Sequence, residues 1–277
     1  MDIRFQIGGI QTWQADVLLC PLLENVDILR ENVELDNVAP WLAVAPAMRD
    51  LSAKANRLTL VHGHPDLALS RVLFIGLGKE RECTLDTIRE AFAKAVCFCR
   101  EREFKTLLLP AAFFTNIPGG RDRTLEEAVY AAMLSTYEAG FLKTKKNADD
   151  CQGSASLAVA IPEEECSSRE AALRGENAAR AVLLARRLDN MPANLLTPDD
   201  LANQACELSK KYGFSCKILD ENIMLSEGMG ALLAVGQGSI HPPRLIILEH
   251  CPDKNRDESP IVLVGKGICF DSGGISL

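Results

Sequence analysis

Strand-like and helix-like stretches alternate through the first half of this chain, and that alternation restricts the folds open to it. Asp16-Val17-Leu18-Leu19-Cys20-Pro21 reads as a short buried strand closed by proline. Arg71-Val72-Leu73-Phe74-Ile75-Gly76-Leu77-Gly78 is a second strand, ended by glycines. Between Thr84 and Arg102, the apolar residues Ile88, Ala91, Phe92, Ala95, Val96 and Cys99 fall near helical spacing, which predicts an amphipathic helix. Thr106-Leu107-Leu108-Leu109-Pro110 is strand-like again. A helix is predicted from Thr124 to Tyr137, with Thr124 as N-cap and Glu126 and Glu127 in its first turn. A strand over 155–162 follows, then a long helix from Ser168 to Asn190 whose interior has only Gly175 as a weak point. This order implies an α/β fold, a mostly parallel or mixed sheet flanked by helices.

Beyond Asn190, Thr197 and Pro198 occupy the N-cap and first position of a helix running to Tyr212. Strands are predicted over Cys216–Asp220, Arg244–Glu249 and Ile261–Val264, with a short helix within Met224–Ala234. The net charge of −8 argues against a large nucleic-acid-binding surface. No apolar run reaches the roughly 18 residues that a membrane span needs. The opening Met1-Asp2-Ile3-Arg4-Phe5-Gln6 lacks the layout of a secretory signal, so a cytoplasmic location is expected. The ten cysteines are scattered, without a Cys-x-x-Cys pair, and are expected to be free thiols.

The chemistry concentrates at Gly265-Lys266-Gly267, which follows the predicted strand Ile261–Val264 and precedes Phe270-Asp271-Ser272-Gly273-Gly274. Ligands of open α/β sheets gather beyond the carboxyl ends of strands. Glycine on both sides of Lys266 lets the backbone bend and bring the amine close to a bound group. An amine ligates a metal only after losing a proton, and a nearby dication depresses its pKa. Asp271 adds a hard oxygen donor suited to zinc, manganese or magnesium. The plain alternative is a surface salt bridge beside a glycine turn. Asp271-Ser272-Gly273-Gly274 also resembles the nucleophile segment of chymotrypsin-like proteases. Phe270 replaces the glycine found there, and no histidine lies in that family's context.

Further blocks give the terminal motif its context. Asn190-Met191-Pro192-Ala193-Asn194-Leu195-Leu196-Thr197-Pro198 with Leu201-Ala202 is the first, and the stretch Gly228-Met229-Gly230 through Gly238-Ser239 is the second. Pro242-Pro243-Arg244 comes third, and Val264-Gly265-Lys266-Gly267 with Phe270-Asp271-Ser272-Gly273-Gly274 closes the series. In this order and spacing they resemble the leucyl aminopeptidase (cytosol aminopeptidase) family. Residues 1–150 match only loosely, best at Leu73-Phe74-Ile75-Gly76-Leu77-Gly78.

That resemblance implies an N-terminal macro-domain-like α/β domain over 1–165 and a connecting helix over 166–190. It implies the start of an α/β metallo-exopeptidase domain over 191–277, left incomplete by C-terminal truncation. The implied activity is removal of N-terminal, leucine-like residues from peptides. The implied cofactors are two divalent ions, manganese or zinc, with magnesium as a further option. Lys266 matches the family's metal-binding lysine, and Asp271 an aspartate that contacts the metals. The family's catalytic lysine would follow directly after Leu277, so no catalytic residue is assigned. Hexamers are implied. Some members of this family also bind DNA, but the net charge of −8 disfavours nucleic acid as a partner here, and no membrane partner is expected. Lys266 and Asp271 cannot hold two dications, since each catalytic metal takes about three protein ligands. The chain alone is therefore expected to be inactive, and a non-catalytic binding or assembly module is the alternative.

Overall fold

The computed structural model describes residues 1, 3–8, 12–24, 50–63, 69, 71–143, 156–161, 166–251 and 259–269. They fall into two compact units, Met1–Arg186 and Arg187–Leu277. In the first, β1 (Ile3–Ile7), β2 (Val17–Glu24), β3 (Leu58–His62) and β4 (Arg71–Lys79) precede α1 (Leu85–Glu101). Next come β5 (Thr106–Pro110), α2 (Arg121–Leu134), β6 (Ser156–Ile161) and α3 (Cys166–Asp189), whose last three residues belong to the second unit. The six strands form one sheet in the order β1-β6-β5-β2-β4-β3. Every neighbouring pair is parallel except β3 with β4, so the sheet is mixed, as its alternating sequence implies.

The period of two sorts side chains between the faces of this sheet. Val17, Leu19, Leu73, Ile75, Leu107, Leu109, Leu157 and Val159 join one core with the apolar sides of α1 and α2. Leu18, Cys20, Val72, Phe74, Leu108 and Ala158 join the other, which Trp13 and Phe113 help to fill. Because both faces are covered, the central strands read as continuous apolar runs rather than alternating ones.

Local chemistry sets the helix ends. Thr84 and Thr87 form a reciprocal capping box at α1, with Thr87 N–H donating to Thr84 Oγ1 at 3.2 Å. Phe92 of α1 lies 5.5 Å from Phe114 between ring centroids, with an interplanar angle of 30°. α2 begins at Arg121, not at Thr124. Gly119 and Gly120, with φ of 104° and 84°, turn the chain three residues early, and Thr124 is buried inside the first turn. Its hydroxyl donates to the carbonyls of Gly120 and Arg121 rather than capping the helix.

Asp16 ties the start of β2 to the start of β5. Its Oδ2 accepts the backbone N–H of Lys105 at 2.8 Å and of Thr106 at 2.9 Å. Burial alone raises this carboxyl, but the hydrogen bonds from Thr106 and Lys105 and the charge of Arg71 hold it below its ordinary value. The folded pKa lies below the unfolded one, so the stabilisation is complete above the unfolded pKa, about 3.9. It is lost as pH falls through the lowered folded value. Asp16→Asn is therefore expected to flatten part of the acid limb of a stability-versus-pH curve. An unchanged acid limb in urea unfolding from pH 2 to 6 (about that range) would rule this out.

The second unit contains α4 (Pro198–Tyr212), β7 (Ser215–Leu219), α5 (Glu221–Ser226), α6 (Gly230–Gly236) and β8 (Leu245–Glu249). β7 and β8 pair antiparallel. The single helix expected within Met224–Ala234 is two, because the chain turns at Gly228 with φ 72°. The strand expected over Ile261–Val264 is absent, and those residues are 92%, 73%, 91% and 94% exposed. A strand needs neighbouring backbone to satisfy its N–H and C=O groups, and no described strand pairs with this stretch. Among the described residues, no helix is long and apolar enough to cross a membrane.

Candidate metal centre

The first turn of α4 anchors the region around Lys266. Thr197 Oγ1 accepts the Asp200 N–H at 3.3 Å, while Asp200 Oδ2 accepts the Thr197 N–H at 3.0 Å and its hydroxyl at 2.6 Å. Pro198, at the first helical position, has no N–H to leave unsatisfied. The hydrogen bonds from Thr197 hold the Asp200 carboxyl below its ordinary range. Asp199 accepts from Arg244 Nε at 2.6 Å, which joins the helix start to the chain just before β8. Both carboxylates of this turn are thus engaged in fixing α4.

Gly267 and Cys269 lie beside that turn. A Cβ placed on Gly267 would stand 3.6 Å from Leu201 Cδ2, in ordinary contact. Cys269 lies near enough to Asp200 for the carboxylate to raise its thiol pKa, a shift led by burial. The structure therefore puts Gly267 and Cys269 alongside a helix start, whereas a strand end is expected from the sequence just before them. Lys266 is exposed and makes no ion pair among the described residues. Asp271 lies outside the described residues.

One amine falls short of the roughly three protein ligands that a catalytic metal takes. Among the described residues, no group of three His, Cys, Asp or Glu side chains is placed to hold a metal. These residues do not make up a metal site by themselves. Sequence pattern singles out Lys266 and places Arg244 within a motif block, but assigns no contact to Asp200 or Arg244. The Thr197-x-x-Asp200 spacing of a capping box was the available signal for the first. Arg244 stands in the Pro242-Pro243-Arg244 block, but no local spacing signals its pairing with Asp199, because the two meet only in the fold.

Two sequence models of one family match this chain. "Cytosol aminopeptidase family, N-terminal domain" covers residues 24–146, and "Cytosol aminopeptidase family, catalytic domain" covers 183–277. A probable cytosol aminopeptidase of Desulfovibrio desulfuricans is 47% identical over 279 residues, spanning 100% of this chain and 56% of the relative. Its counterpart in Bacillus subtilis is 34% identical, over 96% of this chain and 53% of the relative. The chain thus spans about half the length of the curated relatives it matches. The bottromycin maturation enzyme BotP in complex with Mn superposes with a TM-score of 0.66 at 26% identity, over 86% of this chain and 46% of that one. A tomato leucine aminopeptidase variant superposes with a TM-score of 0.73 at 22% identity, over 99% of this chain and 55% of that one. The last likeness is one of fold.

Proposed function

The chain belongs to the cytosol aminopeptidase family, and from that premise we propose that it is part of a leucyl-type metalloaminopeptidase. The substrates are peptides with a free N-terminus, and leucine-like first residues are preferred. Residues 1–165 form the N-terminal domain, 166–190 the connecting helix and 191–277 the opening of the catalytic domain. Lys266 and Asp271 contribute to a centre for two divalent ions, manganese, zinc or magnesium, whose other ligands lie outside residues 1–277. When bound, such ions polarise the scissile carbonyl and activate water. The complete protein works in the cytoplasm as a hexamer without a membrane partner, and its acidic charge disfavours nucleic acid.

The observation that carries this reading is the ordered series of motifs from Asn190 to Asp271. It is supported by the contact of Gly267, next to Lys266, with Leu201 in the capped first turn of α4. Glycine at 265 and 267 keeps the backbone around Lys266 free of side chains. The exposed amine is thus available to an ion held from other directions.

The test is hydrolysis of leucine p-nitroanilide in the presence of Mn²⁺ or Zn²⁺. The 277-residue chain is expected to show none. A polypeptide extended through the downstream ligands is expected to be active, and Lys266→Ala to lower that activity at least about 100-fold, since even outer-shell partners of a metal contribute about 10–100-fold. Robust hydrolysis by the 277-residue chain would overturn the incomplete centre. Full activity of the Lys266→Ala protein would remove Lys266 from it. An inactive extended polypeptide would favour the binding or assembly module.

A further inference from the structure

Cys206 and Cys216 take no part in the site described above. Cys206 lies on α4 and Cys216 on β7, ten residues apart in sequence, and their sulfurs are 3.5 Å apart. Both are free thiols and partly exposed, within reach of a small reagent. Sulfurs in a disulfide stand about 2.05 Å apart, so roughly 1.5 Å of approach remains.

The backbone on either side is already fixed. α4 ends at Gly213 in the left-handed conformation, φ 76°, where L side chains are strained and glycine is not. The N–H groups of Gly213 and Phe214 both donate to Ser209 O, at 2.9 and 3.3 Å. Cys216 is held in register opposite Leu248 in the β7–β8 ladder. The entropy of bringing the two cysteines together is therefore largely spent by the fold, which favours closure over reaction with a second molecule.

We propose that Cys206 and Cys216 are a redox modification site, closing reversibly to an intramolecular disulfide that ties α4 to β7. The oxidant is a small-molecule disulfide of the glutathione class. One cysteine thiolate attacks it, forming a mixed disulfide and expelling one small thiolate. The second cysteine thiolate then attacks the protein sulfur of that mixed bond, making the Cys206–Cys216 bond and expelling the second small thiolate. The two cysteine sulfurs together lose two electrons, and the small disulfide gains them. The two thiol protons pass through solvent to the released thiolates. This inference stands on side-chain placement and is independent of the peptidase reading.

The experiment uses the full 277-residue chain in a glutathione redox buffer, followed by alkylation, digestion without reduction and mass spectrometry. A linked Cys206–Cys216 peptide is expected. Its ratio to the reduced pair should be at least about tenfold higher in the folded chain than in the same chain held in denaturant, equivalent to about 30 mV. Cys206→Ser or Cys216→Ser should trap the mixed disulfide with glutathione on the remaining thiol. An equal or lower ratio in the folded chain would overturn the proposal. So would a wild-type chain that stops at glutathione adducts on both residues. The comparison with denatured chain needs no variant, so it decides the matter even where a serine protein fails to fold.

Discussion

Phe92→Ala is expected to lower the unfolding free energy of the first unit by about 3–5 kcal/mol. Phe92 is fully buried on the core side of α1, stacked on Phe114 and packed toward the apolar face of the sheet. Removing the ring forfeits its transfer free energy and leaves a cavity that a close-packed interior closes only in part. Domains of this kind are stable by about 5–15 kcal/mol, so the loss is a large share of the total. Phe92→Leu keeps most of the volume and should lose far less. Urea unfolding followed by far-ultraviolet circular dichroism measures both. A change for Phe92→Ala below about 1 kcal/mol would mean that the α1–sheet contact is not the one described.

Gly175→Leu is expected to destabilise the same unit, although helix propensity alone predicts the reverse. In an isolated helix, replacing glycine with leucine gains somewhat under 1 kcal/mol. In α3, however, a Cβ at position 175 would stand 2.4 Å from Glu126 O and 3.3 Å from Tyr130 N, both backbone atoms of α2. Neither can rotate away as a side chain could, so the two helices must separate. Overpacking of this kind carries a penalty of about 1–3 kcal/mol, which exceeds the propensity gain. The separation would also strain the Arg174–Glu126 ion pair, now 2.9 Å, and the hydrogen bond from Tyr137 Oη to Arg186 O, now 2.8 Å. The melting temperature should fall by about 2–4 °C for each kcal/mol lost. A rise would show that α2 and α3 do not approach at Gly175.

Gly175 also marks where sequence reading stops. Its helix was legible from spacing, yet the same residue looked like a flaw in that helix. It is the point that lets α2 and α3 touch. The two edge strands show a similar limit. No sequence pattern marks β1 and β3, because each is only half-buried and lacks the apolar runs of β2, β4, β5 and β6. At Ile261–Val264 the error ran the other way. Four apolar residues in a row suit a buried strand, but a strand exists only beside another strand, and none of those described is there.

The candidate site divides along the same line. Lys266 and Asp271 could be named from residue type, flanking glycines and the order of the surrounding motifs, because those are properties of the chain read in one direction. The capped α4 start, the Asp199–Arg244 pair and the position of Gly267 against Leu201 were not visible that way. By itself, the sequence determined the strands and helices with strong period, the α/β class and the family. Side-chain direction repeats every two residues in a strand and every 3.6 in a helix (about those values), so that information is local. The tertiary structure decided which helices touch, which strands lie at the edges, and that Gly267 and Cys269 lie beside α4. Those outcomes depend on contacts between residues far apart in the chain, and no local period records them.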